Sequence, residues 1–300
     1  MKTLSRITKV ICFLVLMSLP CMVSSQGESD DTWWEDNSLT AIGYSLAPKN
    51  ISNAAQARTW SRRAALEKAR EQMTELIKDI NVAAGMTVKA GLASGTIDAE
   101  RLDNLVREAK ILSERYGTDN SCTIVLTVPV YGGGDSVAGL TFKPVEKKDF
   151  LKPTVKSKAK GNYTGLIIDC GDLELEPVLA PVIRQADNQS VYSYNNLDYD
   201  KVIANGMIDY AKEDKPANDK KTLLNVGNLF FNSACAAKNK KSRAGDNPLV
   251  IKAKVISDDN STPVISISDA NKILTENEAS HFLDEGAVVF TGYRVGGVRA

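Results

Sequence analysis

The stretch from about Asn53 to Lys78 most constrains the fold. Ala57, Trp60, Ala64, Met73, Leu76 and Ile77 recur at helical spacing, with Ala54, Ala65 and Ala69 among them. Arg58, Arg62, Glu67, Lys68, Arg70 and Glu71 supply the polar cover. A stripe of that period is the buried face of an amphipathic helix. Its alanines let the helix lie close against a sheet. The mixed charge signs on the polar side argue against a membrane-surface helix.

Sheet partners for this helix stand on both sides of it. Leu39 to Ser45 reads as a first strand containing Gly43, and Pro48 and Asn50 then break the chain. After the helix, Val82 to Val88 is a strand or tight connection around Gly85, and Gly91 to Gly95 is a small-residue loop. A second helix is expected from about Ile97 to Tyr116, with Leu102, Leu105, Val106, Ala109 and Leu112 as its stripe and Gly117 to Asp119 ending it. Cys122 to Tyr131 alternates strictly, so Cys122, Ile124, Leu126, Val128 and Val130 share one face. Pro129 places its far end at an edge. These elements make a first α+β domain over residues 38–131.

Gly132, Gly133 and Gly134 open a lysine-rich stretch that runs to Gly161, expected as an interdomain linker over 132–161. A second domain follows over 162–296. Tyr163 to Asp169 is a buried-strand candidate. Ile183, the Asp187-Asn188 turn and Val191-Tyr192 form a hairpin signature. Ile203 to Tyr210 reads as a further strand, and Leu249 to Ile256 as another after the Gly245–Pro248 turn. Ser268 or Asp269 caps a short helix holding Ala270, Ile273 and Leu274, and a second helical piece includes Phe282. Ala287 to Tyr293 is a plausible central strand. The expected class is α+β: two small mixed domains, each a sheet with helices packed on it.

The N-terminus addresses the chain. Lys2, Arg6 and Lys9 precede the short apolar run Ile11 to Met17, followed by Pro20 and the small residues Val23, Ser24 and Ser25. That order is an export signal over 1–25, cleaved near Ser25. Lipidation at Cys21 is the weaker reading, since Ser18 and Pro20 stand where lipidation needs an aliphatic and a small residue. No other segment is apolar and long enough to span a membrane. Export removes Lys2, Arg6 and Lys9 from 37 basic residues, leaving 34 against 37 acidic ones and a net charge of about −3. That balance argues against a nucleic-acid partner. The local basic stretch Lys238, Lys240, Lys241 and Arg243 reads as a solvated loop.

The mature chain retains Cys122, Cys170 and Cys235, which is no disulfide framework. Cys122 reads as a small core residue, and pairing of Cys170 with Cys235 is left open. His281 is the one histidine, too few for a histidine metal cluster. The acidic cluster Asp169, Asp172, Glu174 and Glu176 is the best candidate for chemistry, with Asp169 and Asp172 as weak metal candidates. On an extended chain Asp172, Glu174 and Glu176 share one face, and a solvated face is the preferred reading. Gly132–Gly134 lacks the Lys-Ser/Thr ending of a phosphate loop, and no Gly-x-Ser-x-Gly elbow occurs. Neither a catalytic set nor a cofactor is expected.

The run Tyr163-Thr164-Gly165-Leu166-Ile167-Ile168-Asp169 resembles the opening of a bacterial envelope family with flagellar-assembly-protein-T-like or small-outer-membrane-lipoprotein-like domains. Pro177 to Ile183, Val191-Tyr192, the run Gly245 to Ala253, and Ser268-Asp269-Ala270 with Ile273-Leu274 resemble its later segments. Ala41-Ile42-Gly43 and the Ala57-Arg58 helix resemble its N-terminal module. Gly171 and Asp172 stand where relatives tend to carry Arg-Gly. The resemblance implies a noncatalytic protein of the periplasm or outer membrane. It would act through contacts with envelope proteins, as a homo-oligomer or within a ring complex such as that around the flagellar basal body. A soluble binding module for a divalent cation or a cell-envelope ligand is the alternative.

Overall fold

In the computed structural model, residues 33–155, 157–171, 173, 175–211 and 242–292 are described. The export signal, Cys21, Cys235, Lys238, Lys240, Lys241, Asp172 and Glu174 lie outside them. The class is α+β, with distinct sheet and helix regions.

The first half is built around one helix. Strand β1 (Ser38–Ser45) pairs antiparallel with β5 (Cys122–Pro129), which pairs on its other side with β4 (Lys110–Tyr116). Helix α2 (Ala54–Lys78) lies on one face of this sheet. Asn53 caps it, accepting from the amides of Ala55 and Gln56. Its buried row is Ala57, Ser61, Ala65, Ala69, Met73 and Ile77, a strict four-residue spacing. Trp60, expected on the stripe, is instead 54% exposed. The small row lets α2 approach β1 so closely that a Cβ on Gly43 would stand 1.9 Å from the Ala65 carbonyl oxygen. Ahead of β1, the short helix α1 (Trp33–Asp36) buries Trp33 and sets it edge-on to Trp34.

Two expectations are corrected here. Val82–Val88 resolves into the hairpin β2 (Asn81–Ala83) and β3 (Met86–Thr87), turning at left-handed Gly85, and then helix α3 (Val88–Ala93). The expected helix over 97–116 is a helix only as α4 (Ala99–Arg107) and is β4 from Lys110 onward. Leu112 therefore does not continue a helical stripe. The turn at 117–121, with Asn120 in the left-handed region, folds β4 back along β5, and ladder pairing wins over helical spacing.

The second half contains a parallel sheet in the order β10 (Pro248–Lys252), β6 (Gly165–Asp169), β13 (Val288–Thr291), β9 (Asp209–Ala211). Both central strands are continuous apolar runs, as a sheet covered on both faces requires. A second sheet runs β11 (Val255–Ile256), β12 (Pro263–Ile265), β7 (Ile183–Gln185), β8 (Ser190–Tyr192). The β7–β8 hairpin turns at Asn188, with φ of 70°. The expected strand over 203–210 is instead helix α6 (Tyr199–Asn205), capped by Asp198 and ended by left-handed Gly206, followed by β9. The helix near Ala270 begins earlier than expected and runs as α7 (Ile267–Ser280). Its cap is Ser266, whose hydroxyl oxygen accepts from the Asp269 amide. Phe282 is buried in the turn that follows rather than in a helix.

Residues 132–161 were expected to be a linker; the part up to Phe142 packs into the core, and residues 143–161 run mostly exposed with a few anchors. Helix α5 (Val137–Thr141) buries Val137, Ala138 and Leu140. The chain beyond it is stitched to the second half. Phe142 packs on Tyr194, and Phe150 stacks on Tyr192. Asn271 accepts from the Thr154 amide, and Glu276 accepts from the amides of Lys160 and Gly161. From the first half, the Asn81 and Val82 carbonyls accept from the amides of Leu179 and Ala180. One hydrophobic cluster includes Ala65 and Ile124 together with Ile168 and Phe290.

Candidate protein-contact face

Strand β1 alternates cleanly: Leu39, Ala41, Gly43 and Ser45 face α2, so Thr40, Ile42 and Tyr44 face the other way. The register extends this outward row across the sheet, because directly paired residues share a face. Ile42 pairs with Val125, which pairs with Ser113; Tyr44 pairs with Thr123, which pairs with Arg115; Thr40 pairs with Thr127, which pairs with Lys110. Among the described residues no element covers this face. Ile42 is 57% exposed and Leu46, just beyond β1, is 61% exposed.

This face is apolar at its centre, ringed by threonines, and carries two formal charges, Lys110 and Arg115, both basic. Glu114 belongs to the helix side, where Arg62 holds it at 3.0 Å and the Tyr116 hydroxyl donates to it at 2.7 Å. That hydrogen bond, with some burial, pushes the Tyr116 hydroxyl up to about 12. Arg58 lies over the Tyr116 ring, 5.7 Å from its centroid. An exposed apolar patch with a polar rim on an otherwise well-packed body is the signature of an interaction site. Such a face offers shape and desolvation, with no reactive group.

Among the described residues, those singled out for chemistry do not converge on one centre. Asp169 ends β6 and accepts the Gly171 amide at 2.9 Å, a local turn contact. Its proposed companion Asp172 lies outside the described residues. Glu176 is half-buried, and its amide donates to the Asn260 carbonyl. Among the described residues no three histidine, cysteine or acidic side chains converge on a metal-sized point. Cys170 is buried, and burial with the neighbouring Asp169 charge pushes its thiol up to about 12, away from the reactive thiolate. Cys122 is buried on the inner face of β5, and burial raises its thiol too. His281 is an exposed residue in the left-handed position that ends α7.

Arg243 departs from its expected place in a solvated loop. Its guanidinium donates to the carbonyls of Asn205, Gly206 and Gly286 and pairs with Asp209 at 3.0 Å, tying α6, β9 and the turn before β13 together.

The boundaries of the second half can now be set beside known proteins. Residues 165–291 match the family model of the second domain of Treponema pallidum Tp0624. The matched stretch opens on the first residue of β6 and closes on the last residue of β13, so it takes in both sheets of the second half. The three-stranded sheet and its open face lie outside the match. No curated protein matches the chain.

The outward face was legible only as a weak signal. Ile42 and Tyr44 fall on the side of β1 opposite Leu39 and Ala41, so the strand is apolar on both sides. Lys110, Ser113 and Arg115 were hidden by reading 110–116 as helix.

Proposed function

We propose that this chain is an exported, noncatalytic protein of the bacterial envelope that works by binding other proteins through the open face of its first sheet. The observation that carries the reading is the uncovered row Ile42–Val125–Ser113 on a sheet whose opposite face carries α2. The N-terminal charge, apolar and small-residue order supports export to the periplasm, with cleavage near Ser25. The resemblance to flagellar-assembly-protein-T-like domains supports a multiprotein envelope assembly, such as a ring around the motor, as the setting. The cation-binding alternative gains no support from Asp169, whose carboxylate is engaged by the Gly171 amide.

The test uses the Ile42→Asp, Tyr44→Asp double variant in the producing cell. Both side chains face outward, so the variant is expected to fold and to be exported with its signal removed. On native separation of envelope extracts it should run at lower mass than the parent chain. Identical migration of the folded variant and the parent contradicts the reading.

A further inference from the structure

The two edges of the first sheet are finished differently. On β1, the backbone of Ile42 and Tyr44 faces away from β5, and α2 answers both. Gln72 accepts the Ile42 amide at 2.9 Å, and Lys68 donates to the Tyr44 carbonyl at 3.1 Å. An antiparallel strand bonds its two neighbours through alternate residues, so β5 uses Ile124 and Leu126 towards β1 and Thr123 and Val125 towards β4. The β4 backbone at Glu114 and Tyr116 therefore points outward, where no hydrogen bond from the described residues closes it. β4 is also exposed along almost its whole length, with Leu112 at 67%. Beyond the bulge at Leu112, the stretch Ser113–Tyr116 is therefore an open edge able to template another strand.

The charges on this edge choose the occupant. Glu114 is engaged by Arg62, which leaves Lys110 and Arg115 as the unanswered charges on the outward side. A second copy would bring the same two unanswered basic side chains to the seam, a repulsive arrangement. We propose that the free edge of β4 takes up an extended segment of a partner protein by strand addition. That segment carries carboxylates facing Lys110 and Arg115 and apolar side chains towards the exposed Leu112. The proposal rests on the protein-contact reading above and names the edge, the backbone geometry and the charge of the partner.

The test is an amide NMR titration of the mature chain. The probe is a blocked nine-residue peptide alternating valine and threonine, with two glutamates on one face; its counterpart carries lysines there. The glutamate peptide is expected to shift and protect the amides of Glu114 and Tyr116, and to bind about tenfold tighter than the lysine peptide. Lys110→Glu with Arg115→Glu should reverse that preference while leaving the thermal melt near that of the parent. Glu114→Pro, which deletes an outward amide, should abolish binding of both peptides. Shifts confined to Ile42, Tyr44 and Val125 would overturn strand addition while leaving the open-face reading standing. No shifts at millimolar peptide, or equal binding of both peptides, would overturn it. A dimer in sedimentation that Leu112→Asp dissociates would assign the edge to a second copy and overturn it as well.

Discussion

The side-chain oxygen of Gln72 accepts the backbone amide of Ile42 at 2.9 Å, so a helix residue closes a strand edge that would otherwise stand open. Lys68 does the same for the Tyr44 carbonyl one turn earlier on α2. Unpaired edges invite pairing with other chains, and side chains that reach round them suppress it. Replacing Gln72 and Lys68 together by alanine should cost about 0.5–1.5 kcal/mol per lost hydrogen bond in urea unfolding. The same variant should associate in a concentration-dependent way in sedimentation, where the parent does not use this edge.

Gly43 sets how close α2 can come. A methyl group there would press on the Ala65 carbonyl oxygen at 1.9 Å and the Ala69 amide nitrogen at 2.6 Å, both backbone atoms that cannot swing away. Gly43→Ala is therefore expected to destabilise the chain by about 3 kcal/mol or more. Gly134→Ala meets nothing within 4 Å and is the matched control. Thermal or urea unfolding of the pair reads the difference.

Glu276 is a buried carboxylate on α7 that accepts the amides of Lys160 and Gly161 at 2.9–3.0 Å. Its removal leaves two amides without partners, so Glu276→Ala should lose about 2–4 kcal/mol. Glu276→Gln keeps an acceptor oxygen and should lose less. Hydrogen exchange is the sharper measurement: the Lys160 and Gly161 amides should lose protection in Glu276→Ala, and protease should gain access to residues 150–161.

Asp259 organises the turn from Ser257 to Thr262. Burial disfavours its charge, but the hydrogen bonds from the Ser261 amide and hydroxyl, Ser257 and Thr262 outweigh that and hold its carboxyl below the usual value of 3.8. A folded-state value below the unfolded one means stability that is fully present above the unfolded value and lost as pH falls through the folded one. Asp259→Asn should therefore lower the melting temperature at pH 7, with the gap to the parent narrowing below about pH 4.

Local signals were legible where the competing structure was also local. Strict alternation identified β5, and the alanine spacing of α2 announced its close approach to a sheet. The Asp187-Asn188 turn marked the β7–β8 hairpin. Misreadings arose where a partner far along the chain decided the outcome. Residues 110–116 continue the helical spacing of α4, and only pairing with β5 makes them a strand. Ile203 looks like a strand residue, although Asp198 as a cap and Gly206 as a stop were available signals for α6. The lysine-rich stretch after Gly134 has linker composition. Its anchors, Asn271 and Glu276, stand more than a hundred residues away, beyond the reach of any window. The open face was hardest to see, because it depends on which elements fail to cover β1.

The most direct measurement places a photocrosslinking amino acid at Ile42 in the producing cell, with the exposed Val255 of the second half as control. If the open sheet face is the working surface, Ile42 yields a discrete crosslinked species of defined mass, Val255 does not, and the product disappears in the Tyr44→Asp background. Equal yields at both positions, or uncrosslinked chain alone at Ile42 in cells where the protein is exported and folded, would contradict the account.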